Sequence, residues 1–207
     1  MSDPAMSDPA ARPDPARTSF YIDDDFYRDL VAAFTGWQTD AAEIADPVRR
    51  DSCRRLLERE ARLLDEGANE AWLGLFAPEC LYWVPASPDG GDPRREVAVA
   101  FDDRRRLEDR VFRLSGDYAW SQQPRSRTSR IVSNVEAFAT DDPDIVMTRS
   151  SFLISELQAG DRRLWTGWYA HRLRRAEAVE GPDWEILVKQ VNLIDCDGNL
   201  RNPSITL

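Results

Sequence analysis

Leu164-Trp165-Thr166-Gly167-Trp168-Tyr169-Ala170-His171-Arg172-Leu173 decides the fold of this chain. Aromatic residues crowd it and no apolar stripe recurs at helical spacing, so an extended strand fits best. With side chains alternating, Leu164, Trp168 and Ala170 point one way and Trp165, Tyr169 and Leu173 the other. A sheet covered on one face should not be apolar on both, and a large apolar patch marks an interaction site. Part of the second face is therefore expected against another subunit.

Working outward, residues 129–138, 145–157 and 184–194 have the same character as 163–174. Asp142-Pro143-Asp144, Ala159-Gly160-Asp161 and Gly181-Pro182-Asp183 separate the four with turn chemistry, which gives a hairpin-linked antiparallel meander. Upstream the period is helical. Residues 23–37 place Phe26, Leu30, Val31 and Phe34 on one stripe. A second helix starts at the N-cap Asp46 with Pro47 behind it and stops at Gly67, burying Leu56, Leu57, Leu63 and Leu64, with a Glu58–Arg62 pair outside. Residues 69–77, with Trp72, Leu75 and Phe76, read as a third helix. Leu81 to Val84 is a short strand closed by Pro85, 87–93 is a loop, and a fourth helix runs from Asp102 or Asp103 to just before Gly116. Helices followed by a meander make an α+β domain with its helices on one face of the sheet.

The 207 residues fit one domain, read as 19–207. The opening, where Met-Ser-Asp-Pro-Ala occurs twice, is Pro-dense and free of aromatics, so residues 1–18 are expected to be a disordered tail. A net charge of −10 opposes nucleic acid or an anionic membrane as partner. No window approaches the ~20 apolar residues of a membrane span and no signal-peptide core opens the chain, which reads as cytoplasmic. Cys53, Cys80 and Cys196, widely spaced, suit reduced thiols.

His171 is the one histidine. A two-His, one-carboxylate iron site, or a Rieske cluster with two His and two Cys, thus cannot be built within this chain. Zinc held by the three cysteines and His171 lacks ligand spacing. His171 reads as a hydrogen-bonded structural residue; the sharper alternative has it facing a cavity with Tyr82, Tyr118 or Tyr169 as an acid–base group. No G-x-G-x-x-G, Walker or G-x-S-x-G pattern occurs. In Arg104-Arg105-Arg106, the pairs Arg104–Glu108 and Arg105–Asp109 read as a salt-bridged helix face. Arg125, Arg127 and Arg130, just ahead of a strand, suit an acidic partner surface, a buried ion pair or a solvated connection.

Several stretches in order resemble one family. Glu60-Ala61-Arg62-Leu63-Leu64-Asp65-Glu66, Trp72-Leu73, Tyr82-Trp83-Val84-Pro85, Asp103 to Val111, Ser126-Arg127-Thr128 with Ile131-Val132-Ser133-Asn134-Val135, and Lys189-Gln190-Val191-Asn192-Leu193-Ile194 are similar to the β (small) subunits of aromatic ring-hydroxylating dioxygenases. Ser129, where a basic residue is common, departs from the pattern. The resemblance implies a curved antiparallel sheet wrapped around N-terminal helices, the cone shared with scytalone dehydratase and ketosteroid isomerase. It further implies an α3β3 hexamer whose large α subunit carries the Rieske [2Fe-2S] cluster and mononuclear Fe(II), fed by NAD(P)H through a reductase. This chain would hold no cofactor, no metal and no catalytic residue. Its contacts are expected at Arg104, Arg127, Arg130, Trp165, Trp168 and Tyr169. The rival reading is a stand-alone isomerase or dehydratase of the same cone acting on a small cyclic substrate.

Overall fold

The computed structural model describes residues 21–88, 90–115, 122–177, 183–198, 200, 202 and 205–207. The expectations for the tail to residue 18, for Gly116 as a helix stop, for Tyr118 and for the turn at Gly181-Pro182 lie outside them. In chain order come α1 (Asp24–Ala33), a 3-10 turn (Asp40–Ala42), α2 (Pro47–Asp65), α3 (Asn69–Leu73), β1 (Phe76–Pro85) and β2 (Ala98–Asp103). They are followed by α4 (Arg104–Ser115), β3 (Arg127–Ala139), β4 (Ile145–Gln158), β5 (Asp161–Arg175) and β6 (Trp184–Leu193).

The long helix α2 begins and ends where its caps require. The Asp46 carboxylate accepts from Val48 N, Pro47 fills the first position, and Gly67 follows the last turn at φ +69°. Its exposed pairs differ from the expected Glu58–Arg62. Glu58 takes Arg54 at 2.5 Å, and Arg62 leans towards Glu66 at 3.9 Å.

Two elements correct the sequence reading. The expected helix 69–77 stops at Leu73, and Phe76 already opens β1. Pro78 explains this, since it cannot donate a helical hydrogen bond and forces the residue before it into extended backbone. β2 was not anticipated, because Ala98–Asp103 is short and only half buried; it pairs antiparallel along β1, Trp83 opposite Phe101.

The strands form one sheet in the order β2-β1-β6-β5-β4-β3. Its described neighbours are antiparallel except β1 and β6, which run parallel, so the sheet is mixed rather than wholly antiparallel. Register shifts interrupt β3 between Ser133 and Glu136, where Asn134 takes φ +52°, and the β5–β6 ladder between Arg172 and Leu173. Bulges of this kind bend a strand. At Gly167 any Cβ would stand 2.0 Å from the Asn192 carbonyl oxygen, so only glycine lets β5 and β6 meet there.

On the inner face, α2 lays Cys53, Leu56 and Leu64 against Phe152, Tyr169, Leu173, Ile186 and Val191. The outer face is not bare. α1 sets Leu30 on Leu81, Trp83 and Val188, with Phe26 and Phe34 beside it. The helices therefore flank both faces, and the chain itself covers part of the second apolar face that the sequence reading gave to a partner. The amphipathic stripe of α1 was legible in the sequence, but a stripe does not say which face of a sheet it will cover.

Candidate functional site

The inner face places three ionisable groups in contact. Glu60 lies on the buried stripe of α2, four residues after Leu56 and four before Leu64. His171 on β5 and Lys189 on β6 are cross-strand partners. The Glu60 carboxylate accepts from Lys189 Nζ at 2.9 Å and Trp72 Nε1 at 3.0 Å, and its other oxygen lies 3.2 Å from His171 Nε2. Lys189 Nζ also stands over the Tyr169 ring, 4.4 Å from its centre.

Burial is the largest influence on all three. It pushes the Glu60 carboxyl up, yet the Lys189 ammonium and the His171 ring outweigh it and hold Glu60 well below the carboxylate range. Burial lowers His171 and Lys189, with Glu60 working against it in each case. Glu60 and Lys189 thus form a buried hydrogen-bonded pair with the His171 ring beside it.

These are acid–base groups by type; Glu60, Lys189 Nζ and His171 Nε2 are bonded to one another, while His171 Nδ1 is buried without a hydrogen-bond partner. His171 and Lys189 are 0% exposed and Glu60 2%. The Tyr82 hydroxyl, which burial pushes up to about 12, is bound to the backbone of Leu207, accepting from its N at 3.1 Å. Ile205 and Leu207 complete the packing over this end of the core. His171 is thus buried and hydrogen-bonded to Glu60. Glu60 and Lys189 were missed as its partners. The signal was present for Glu60, a carboxylate in the middle of a leucine stripe, whereas Lys189 next to Gln190 looks like an ordinary polar pair.

Two further carboxylates, the half-buried Asp65 and the buried Glu156, gather hydrogen bonds from distant parts of the chain. Asp65 receives Arg130 Nη1 at 2.5 Å, Arg130 N at 2.8 Å and the Thr128 hydroxyl at 2.8 Å, and Arg130 Nη2 reaches the Thr206 carbonyl at 2.5 Å. Glu156 accepts from Trp165 Nε1 at 2.9 Å, Asn202 Nδ2 at 2.6 Å and the Ser126 hydroxyl at 2.5 Å.

The six residues singled out for subunit contacts thus separate. Arg130, Trp165 and Tyr169 turn inward and are occupied within the chain, so they leave little surface for a partner. Arg104 is half-buried, bonded to Glu108 at 2.8 Å and to the Leu73 and Phe76 carbonyls. Its neighbour Arg105 has a buried Nε without a hydrogen-bond partner rather than the expected Asp109. Arg127 is exposed and Trp168 half-buried under the Arg149 guanidinium, both on the outer face. There the register also brings together the exposed Ile131 and Leu153, opposite one another, with Leu164 and Ile194 nearby.

Cys53, Cys80 and Cys196 are free and buried, and burial pushes the Cys53 and Cys80 thiols up to about 11 and about 12. Among the described residues no group of three or more His, Cys, Asp or Glu side chains is placed to hold a metal ion. No described helix is long and apolar enough to cross a membrane.

Residues 59–197 match the family model described as ring hydroxylating beta subunit. The small oxygenase component of the p-cumate 2,3-dioxygenase system of Pseudomonas putida is 34% identical over 132 residues, 63% of this chain and 73% of that protein. Among solved structures, a chain of naphthalene 1,2-dioxygenase with indole bound superposes with a TM-score of 0.65 at 19% identity, covering 93% of this chain and 98% of that one. The β subunit of benzoate 1,2-dioxygenase from Burkholderia mallei ATCC 23344 gives 0.55 at 27% identity, over 68% and 87%. The fold extends beyond dioxygenases: an NTF2-like protein with a cystatin-like fold from Novosphingobium aromaticivorans DSM gives 0.50 at 14% identity, over 90% and 98%.

Proposed function

The chain belongs to the family of ring-hydroxylating dioxygenase β subunits, and on that premise we propose that it is the structural, non-catalytic small subunit of a cytoplasmic aromatic-ring dioxygenase. The large subunit would carry the Rieske [2Fe-2S] cluster and the mononuclear Fe(II), three of each chain would form an α3β3 hexamer, and NAD(P)H would supply electrons through a reductase. Its product would be a cis-dihydrodiol of an aromatic compound in a catabolic pathway.

The observation that carries this reading is the closed interior. In the interior between α2 and the sheet, Glu60, His171 and Lys189 are in contact within 3.2 Å and none is exposed beyond 2%. A stand-alone isomerase or dehydratase needs at least one such group free to touch a ring. The donor set points the same way, because one buried His and three scattered, buried thiols do not supply the ligands of either iron centre.

What this chain contributes is shape and surface. Arg127, Trp168 and the aliphatic residues Ile131, Leu153 and Leu164 on the outer face are the proposed contact area, with Arg104 a second one beside α4. Interface cores of this kind join apolar and aromatic anchors to a few arginines. Co-expression with the large subunit from the same operon tests it: the two chains should co-purify at equal stoichiometry with the mass of a hexamer. A chain that stays apart from that large subunit contradicts the proposal.

A further inference from the structure

The outer face also holds a pocket of about 380 Å³ between the end of α1 and the sheet, inside the range of roughly 300–1,000 Å³ typical of small-molecule sites. Its walls are aromatic: Phe34 and Trp37 from α1 and the turn after it, Trp83 from β1 and Trp168 from β5. Gln190 and Asn192 of β6 form the floor, and their placement follows from register, since Trp83 pairs with Gln190 and Trp168 with Asn192.

The walls are held in place before anything binds. Phe34 stands edge-on to Trp83 at 6.1 Å, Trp37 edge-on to Phe138 at 5.3 Å, and the Arg149 guanidinium caps Trp168 at 5.0 Å. The floor is a built polar group. Gln190 and Asn192 are 4% and 5% exposed, and Asn192 Nδ2 donates to Gln190 Oε1 at 3.1 Å. That bond leaves Gln190 Nε2 as a donor and Asn192 Oδ1 as an acceptor for the pocket.

Aromatic walls favour a flat ring. A donor beside an acceptor selects a substituent that both accepts and donates, such as a hydroxyl or a primary carboxamide. A carboxylate would set an anionic oxygen against Asn192 Oδ1 in a chain of net charge −10. The geometry points to this pocket as a binding site for a neutral, planar aromatic molecule bearing a hydroxyl or carboxamide group, on the opposite face of the sheet from the closed interior. The inference uses this chain's own residues, and Trp168 is shared with the contact area proposed above, at the edge of the pocket.

Phenol is the probe, titrated into the full-length chain while the indole N–H signals are followed by NMR. The signals of Trp37, Trp83 and Trp168 should shift and saturate while the rest of the seven tryptophans stay still. Cyclohexanol, with the hydroxyl but no flat ring, and benzoate, with the ring but a charge, should bind more weakly. Asn192→Leu removes the acceptor and should weaken phenol by about tenfold or more, the worth of one buried hydrogen bond. Trp37→Ala, on a turn outside the sheet, gives a second variant that keeps the strands intact and should weaken it likewise. Shifts that do not saturate, that spread over all seven tryptophans, or that survive both variants would overturn the inference. So would cyclohexanol binding as tightly as phenol, or a large-subunit side chain found filling the pocket in the assembled oxygenase.

Discussion

Replacing Glu60 by Gln tests the buried triad at its centre. The carboxylate joins Lys189 at 2.9 Å, Trp72 Nε1 at 3.0 Å and His171 at 3.2 Å, and no solvent reaches any of the four side chains to take its place. Glutamine keeps an acceptor for the indole but leaves the Lys189 ammonium unpaired in the core. Breaking a buried pair from one side costs about 3–5 kcal/mol. For a domain of this size each kcal/mol moves Tm by roughly 2–4 °C, so E60Q should melt roughly 6–20 °C below the parent near neutral pH. Lys189→Met should cost a comparable amount. The double variant E60Q/K189M, which removes both charges, should lose clearly less than the sum, with a coupling of about 1–3 kcal/mol. Calorimetry or circular dichroism on the purified subunit reads all four proteins. Single variants that melt within a degree of the parent, or losses that simply add, refute the triad as an energetic unit. Acid gives a second check. Glu60 is held below its ordinary 4.5, so its contribution is complete above that pH and fades as the pH falls further. The gap between parent and E60Q should therefore narrow in acid.

Burial holds His171 below its ordinary 6.5, so as pH falls through that value the unfolded chain takes up a proton that the folded one resists. Stability should decline over that window, and a His171→Asn variant should show a flatter Tm profile between about pH 7.5 and 5.5. Trp72, 0% exposed, and Trp168, half-buried on the outer face, should respond differently to truncation. Trp72→Ala should cost about 3–5 kcal/mol in a melt of the isolated subunit, and Trp168→Ala distinctly less; equal losses would place Trp168 in the core. Leu164, 64% exposed, should tolerate Asp within about 0.5 kcal/mol in the isolated subunit while co-purification with the large subunit falls. Unimpaired assembly of L164D would remove this face from the contact area.

The meander was legible because its signals are local. Turn residues at 142–144 and 159–161 bound β4 and β5 within a few residues of where they stand. Asp46, Pro47 and Gly67 likewise marked both ends of α2. What stayed hidden depends on contacts distant in sequence. β1 and β6 lie together as parallel neighbours, with Trp83 opposite Gln190, although more than a hundred residues separate them. No local pattern announces such a join. Tyr169 and Trp165 looked like candidates for contact because alternation gives two faces without saying which one is inside. For Arg130 a buried ion pair was one of the readings, but the sequence could not single it out because its partner, Asp65, is 65 residues away. The absence of iron ligands was the strongest functional signal, since counting donors requires no fold at all.

Iron content and oxygen-dependent product, measured on this chain purified alone and again together with its large subunit, decide whether the small subunit takes any part in the chemistry. Neither should be found in the isolated chain and both in the complex. Stoichiometric iron, or hydroxylated product, from a preparation of this chain alone would contradict the non-catalytic role.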